Sequence, residues 1–190
     1  MEKIVFLDRD GTLNEEVHYL HRTEDLHILP GVPQALRMLK EAGFKLVVVT
    51  NQAGVARGYY TEEDVKALHR YMNRLLMEQG AAIDAFYYCP HHPEHGVGAY
   101  KVQCRCRKPD TGMFEMAGEQ FLVDKEHSYM IGDKLLDTEA GRRFGVEPVL
   151  VGTGYGKELY EQDSAPYYHY SDTLVEAAGW IIGQEERKQR

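Results

Sequence analysis

A strand that reads as buried on both faces, yet ends in two acids, constrains this chain more than any other feature. Ile4-Val5-Phe6-Leu7 runs unbroken into Asp8-Arg9-Asp10-Gly11-Thr12. A short apolar run without alternation predicts a central strand of a parallel sheet. Side chains two apart on an extended backbone share a side, so Asp8 and Asp10 are expected to converge. Gly11 permits the sharp turn that follows. Carboxylates in such a place are costly to bury unless paired. The pattern therefore points to a divalent metal, an acid/base pair, or both, against the plainer alternative of a solvated turn after an edge strand.

The rest of the chain supplies a frame for that strand. Apolar positions at helical spacing mark Val32 to Ala42, the segment from Thr61-Glu62-Glu63-Asp64 to about Gln79, Thr111 to Leu122, Leu135 to Phe144 and Leu174 to Ile182. Between them, Phe44 to Val49, Ile83 to Tyr88, Ser128 to Ile131 and Pro148 to Val151 read as further strands, with Tyr167 to Tyr170 as a last edge strand. Asn14 to Leu29 reads as a loop and Gln184 to Arg190 as a frayed tail. Val151 to Gly156 is glycine-rich but lacks the spacing and first-strand position of a dinucleotide loop, and is read as a turn. Alternating strands and helices imply a parallel sheet covered on both faces, a three-layer α/β/α Rossmann-like fold. Asp8 and Asp10, Thr50-Asn51-Gln52, and Asp133-Lys134 all fall at strand carboxyl ends, where such sheets place their sites.

Composition excludes several functions. The 190 residues fit a single domain, 1–190, and no interval is long enough for a large cap domain. The net charge of −8 argues against nucleic acid as a partner. No apolar run approaches a membrane span and no signal peptide is evident, so a cytoplasmic protein with no membrane partner is expected, monomeric by default. All three cysteines lie between positions 89 and 106. Cys89-Pro-His91 and Cys104-Arg-Cys106 offer four ligands of the kinds that a structural Zn²⁺ takes, with His92 and His95 as rivals to His91. The alternative is three buried thiols.

The motifs Asp8-x-Asp10-Gly-Thr, Thr50-Asn51, Lys108, and Gly132-Asp133 with Asp137 occur in the order seen in the haloacid-dehalogenase-like phosphatases, which the chain resembles over nearly its whole length. FLDRDGTLN, VVVTNQAGVARG, YYCPHHP, CRCRKPDTGM and IGDKLLD resemble more narrowly the subgroup that removes a phosphate from a heptose bisphosphate. That resemblance implies an enzyme with a small sugar bisphosphate as substrate and Mg²⁺ and Zn²⁺ as cofactors. It implies Asp8 as nucleophile, Asp10 as general acid/base, and Thr50 and Lys108 as stabilisers of phosphoryl charge. It places Mg²⁺ on Asp8, Asp133 and the backbone carbonyl of Asp10, and zinc on the loop 89–106 that leads into Lys108. Substrate would meet Glu16, Val17, His18, Tyr19, Thr50, Asn51, Gln52, Ala53, Arg107, Lys108 and Lys134, with Arg107 on the second phosphate. Glu16 and Val17 depart from the usual pattern of the subgroup. Histidinol-phosphate phosphatase, a phosphosugar mutase using the same aspartyl-phosphate, and a zinc-stabilised interaction module without activity are the competing expectations.

Overall fold

The computed structural model describes residues 1–188. Six parallel strands form one sheet in the order β3-β2-β1-β4-β5-β6. They are β1 (Ile4–Leu7), β2 (Lys45–Asn51), β3 (Ala85–Cys89), β4 (Tyr129–Gly132), β5 (Glu147–Val151) and β6 (His169–Ser171). The strand that opened the sequence is central, and all four of its residues are wholly buried. Its side chains alternate as extended backbone requires. Val5 and Leu7 face a core shared with α1 (Val32–Glu41), α3 (Glu62–Met77) and α7 (Leu174–Lys188). Ile4 and Phe6 face a second core with α4 (Gly112–Gln120) and α5 (Leu135–Phe144), where Phe6 packs 4.8 Å from the Phe114 ring and 5.9 Å from that of Phe144. The expected three layers are therefore present. Between Asp10 and Thr50 the chain has room only for a loop, a single 3-10 turn and α1, so no cap covers the carboxyl edge of the sheet from there.

Two short helices escaped the periodicity argument because each is too brief to carry a pattern: α2 (Ala53–Ala56) and α6 (Gly156–Gln162). The tail expectation is corrected. α7 continues through Gln184 to Lys188, and only residues 189–190 of that stretch lie outside the described residues. The reason is Glu185, which points inward and is 4 % exposed. Its carboxylate accepts from Tyr129 Oη and His127 Nδ1, both at 2.8 Å. A buried charge with such partners anchors a segment that polarity alone marks as loose.

The capping box expected at Thr61 forms. Asp64 N–H donates to Thr61 Oγ1 at 3.2 Å, and Thr61 N–H donates to the Asp64 carboxylate at 2.8 Å. Thr61→Ala should lower unfolding free energy by about 1 kcal/mol, read as a shift of the denaturant midpoint at constant m-value. An unmoved midpoint would show that the cap contributes nothing.

Candidate active site

The carboxyl ends of β1, β2 and β4 meet in a cleft of about 310 Å³. Asp8 and Asp10 both line it, as the extended spacing requires. So do Glu16, His18, Tyr19, Thr50, Asn51, Gln52, Ala53, Arg107, Lys108 and Lys134. Val17 does not line it, and its side chain is exposed. Its loop turns over the cleft through His18 and Tyr19, whose φ angles of 48° and 57° lie where few side-chain-bearing residues rest.

At the floor, the Lys108 ammonium is 2.9 Å from Asp8 Oδ1, 2.7 Å from Asp137 Oδ1 and 2.7 Å from the Val49 carbonyl. Burial works against its charge, but the Asp137 and Asp8 carboxylates prevail and raise its pKa. Asp8, Asp133 and Asp137 can each bring an oxygen within 4.8 Å of the others. Burial, then the Asp8 charge, pushes the Asp133 carboxyl up to about 8 and that of Asp137 up to about 6. Asp133 Oδ1 is buried without a hydrogen-bond partner. Crowded acids with an unmatched oxygen are what a hard divalent cation relieves, so the donor set fits one. The third carboxylate of this cluster is Asp137; the Asp10 side chain belongs elsewhere, and only its backbone carbonyl remains for the metal role expected of it.

The Asp10 carboxylate is held by Arg9, whose Nε and Nη2 donate to it at 2.9–3.1 Å. Asn14 Nδ2 and Gln52 Nε2 add bonds at 3.0 Å each. Burial would raise its pKa, yet Arg9 and these amides together hold it below the usual carboxylate range. Gln52 Nε2 also donates to Thr50 Oγ1 at 2.9 Å, leaving the threonine hydroxyl proton free for the cleft. Asn51 lines the cleft and also has a second task. Its amide brackets the Lys108 backbone, accepting from N–H at 2.9 Å and donating to the carbonyl at 3.1 Å. It holds Lys108 in place. Ala53 opens α2, so its N–H lacks an intrahelical acceptor. Lys134 spans the cleft wall, 3.2 Å from Glu16 and 3.8 Å from Asp133.

The turn after β5 also serves the site, which the sequence did not signal. Tyr155 N–H donates to Asp133 Oδ2 at 3.1 Å, and Thr153 Oγ1 donates to the Gly11 carbonyl at 2.7 Å. Gly11, at φ 82°, is required: a Cβ there would meet Asp133 Oδ2 at 2.3 Å.

Beside the cleft, Cys89, His91, Cys104 and Cys106 converge. Their sulfurs stand 3.1, 3.4 and 3.5 Å apart, and His91 Nδ1 is 3.3 Å from Cys106 Sγ. Tetrahedral ligands on bonds of about 2.3 Å have nearly that spacing. Hydrogen bonds, first from Cys89 and then from His91, draw the Cys106 thiol down to about 5 against the effect of burial. Between the rivals, His91 joins the cluster, whereas His92 Nδ1 accepts from the Glu94 and His95 backbones. The cluster can hold a metal ion and leads directly into Arg107 and Lys108.

Comparison with known proteins agrees with this geometry. The HAD-hydrolase-like family model matches residues 105–177. The chain is 48 % identical over 155 residues, 80 % of its length and 85 % of the relative's, to the D-glycero-beta-D-manno-heptose-1,7-bisphosphate 7-phosphatase of Haemophilus ducreyi. It is 41 % identical over 190 residues, 96 % of each chain, to the corresponding 7-phosphatase of Chlorobaculum tepidum. The chain belongs to the heptose-bisphosphate phosphatase family of HAD-like hydrolases. The crystal structure of the B. bronchiseptica D,D-heptose 1,7-bisphosphate phosphatase, complexed with magnesium and phosphate, superposes with a TM-score of 0.85 at 33 % identity, covering 96 % of this chain and 99 % of that one. The fold is thus HAD-like, and the activity that of a phosphoric monoester hydrolase. No helix among the described residues is long and apolar enough to cross a membrane.

Proposed function

We propose that residues 1–190 act as one catalytic domain that hydrolyses the 7-phosphate of D-glycero-D-manno-heptose 1,7-bisphosphate, leaving heptose 1-phosphate and inorganic phosphate. The observation that carries this reading is the buried Asp8–Lys108–Asp133–Asp137 cluster at the base of an uncapped cleft, with Arg107 lining the same cleft. A carboxylate oxygen of Asp8 attacks phosphorus, the bond to the sugar oxygen breaks, and Asp10 gives that oxygen a proton. Asp10 rests ionised, but an arriving phosphate brings negative charge that opposes Arg9 and favours its protonation. Asp10 then takes a proton from water, which attacks phosphorus and releases Asp8. Lys108 and the Thr50 hydroxyl steady the equatorial oxygens, where charge accumulates.

Asp8, Asp133, Asp137 and the Asp10 carbonyl would hold Mg²⁺, which when bound neutralises charge between nucleophile and phosphate. Cys89, His91, Cys104 and Cys106 would hold Zn²⁺, and so tied they would fix the loop that delivers Arg107 and Lys108. Phosphate release should favour the heptose bisphosphate over histidinol phosphate by about 100-fold or more in kcat/KM, since a site built to pair a second anion discriminates against substrates lacking it. Equal or reversed rates would sink the reading.

A further inference from the structure

Tyr60 belongs to no motif, yet it lines the cleft, and its hydroxyl reaches the network that holds Asp10. It directly precedes the Thr61 cap of α3 and is 6 % exposed, in a small core with Val55 and Val65. An apolar body just before the cap, packed with the first turn, fixes where the chain enters the helix. The Tyr60 ring stacks on His21 with centres 5.1 Å apart, and Gly54 makes room for it, since a Cβ there would overlap Tyr60 Cε1. The ring is therefore clamped, and its hydroxyl donates to Gln52 Oε1 at 2.8 Å. Burial pushes the phenol up to about 12, so it keeps the proton that it donates.

The two ends of an amide side chain are nearly the same shape, so their neighbours decide which way it points. Gln52 Oε1 accepts from Tyr60 and, at 3.2 Å, from Arg9 Nη2. Arg9 Nη2 also serves both Asp10 oxygens and the Leu20 carbonyl, so the shorter and undivided bond is that of Tyr60. With Oε1 occupied, Nε2 is left to donate to Asp10 Oδ2 at 3.0 Å and to Thr50 Oγ1 at 2.9 Å. Turned over, the amide would set its oxygen against the Asp10 carboxylate. We infer that Tyr60 is a positioning residue for proton transfer: through Gln52 it holds the Asp10 carboxylate where it can reach the leaving oxygen. The inference rests on the reading of Asp10 as general acid/base above.

The test compares D-glycero-D-manno-heptose 1,7-bisphosphate, whose leaving alkoxide needs a proton, with p-nitrophenyl phosphate, whose nitrophenolate departs without one. Tyr60→Phe keeps the ring and removes only the hydroxyl. It should lower the ratio of kcat/KM for the bisphosphate to that for the aryl phosphate by roughly 10-fold, part of the roughly 10²- to 10⁴-fold that a placed general acid supplies. After Gln52→Ala the same change should leave the ratio where it stands, since residues that act through one another are not additive. An unchanged ratio, an equal fall on both substrates, or losses that multiply with Gln52→Ala would overturn the inference. Asp10→Asn falling equally on the two substrates would instead overturn the reading beneath it.

Discussion

Asp8→Asn should cost at least about 10⁴-fold in turnover, because an amide in place of the attacking oxygen cannot form the acyl phosphate. The fold should survive the change. Lys108 keeps Asp137 and the Val49 carbonyl at 2.7 Å each, so its buried charge retains a counter-ion. The Asp8 charge is also one of the causes that push Asp133 up to about 8 and Asp137 up to about 6. Those two acids resist ionisation in the folded state, a cost that grows above the unfolded carboxylate pKa and is relieved when a negative neighbour is removed. In chelator at neutral pH the variant should therefore be at least as stable as the parent in denaturant. Acid-quenched wild-type enzyme should carry covalent phosphate on Asp8. Residual activity above about 1 %, far beyond what the surrounding site can supply without its nucleophile, would remove Asp8 from that role.

The place of Asp8 in the cleft was legible because strand ends are legible. An apolar run that stops at an acid marks both the sheet and its functional edge, and the order of acids, threonine and lysine along the chain survives folding. What the sequence concealed were contacts made by approach in space. Asn51 stands beside Thr50 and reads as a second ligand donor; nothing local says that the Lys108 backbone will arrive to occupy its amide. The turn at Thr153 to Tyr155 reads as a connector, and its bond to Asp133 exists only because β4 and β5 are neighbours. Glu185 looked like part of a solvated tail, since a single inward acid carries no periodic signal. Arg9 is the sharpest case. Alternation along β1 sends it to the side opposite Asp8 and Asp10. Its long side chain nonetheless bends back to Asp10, a reach that spacing rules do not describe.

Arg9→Met should accordingly be the most damaging substitution for stability. Arg9 is fully buried and reaches four partners: Asp10, the Leu20 carbonyl at 3.3 Å, Gln52 Oε1 at 3.2 Å and, through Nη1, His69 Nε2 at 3.1 Å. Burial first, and then the Arg9 charge, keeps His69 neutral and so able to accept. Methionine fills the channel but leaves an ionised Asp10 without its cation, and removing one partner of a buried pair costs about 3–5 kcal/mol. The loss should depend on pH. In the parent, Asp10 has a depressed folded pKa, so its contribution is present above the ordinary carboxylate pKa and disappears as pH falls through the depressed value. In the variant, burial without Arg9 raises that pKa, so acidification relieves the cost. Urea unfolding should then show a large gap between parent and variant at pH 7 that narrows toward pH 4. A gap of less than about 1 kcal/mol at pH 7, the scale of an exposed ion pair, or one that widens in acid, would mean that the guanidinium does not sustain the Asp10 charge. Arg9→Lys should recover only part of the loss, because one ammonium cannot replace a planar fork that reaches carboxylate, amide and imidazole together.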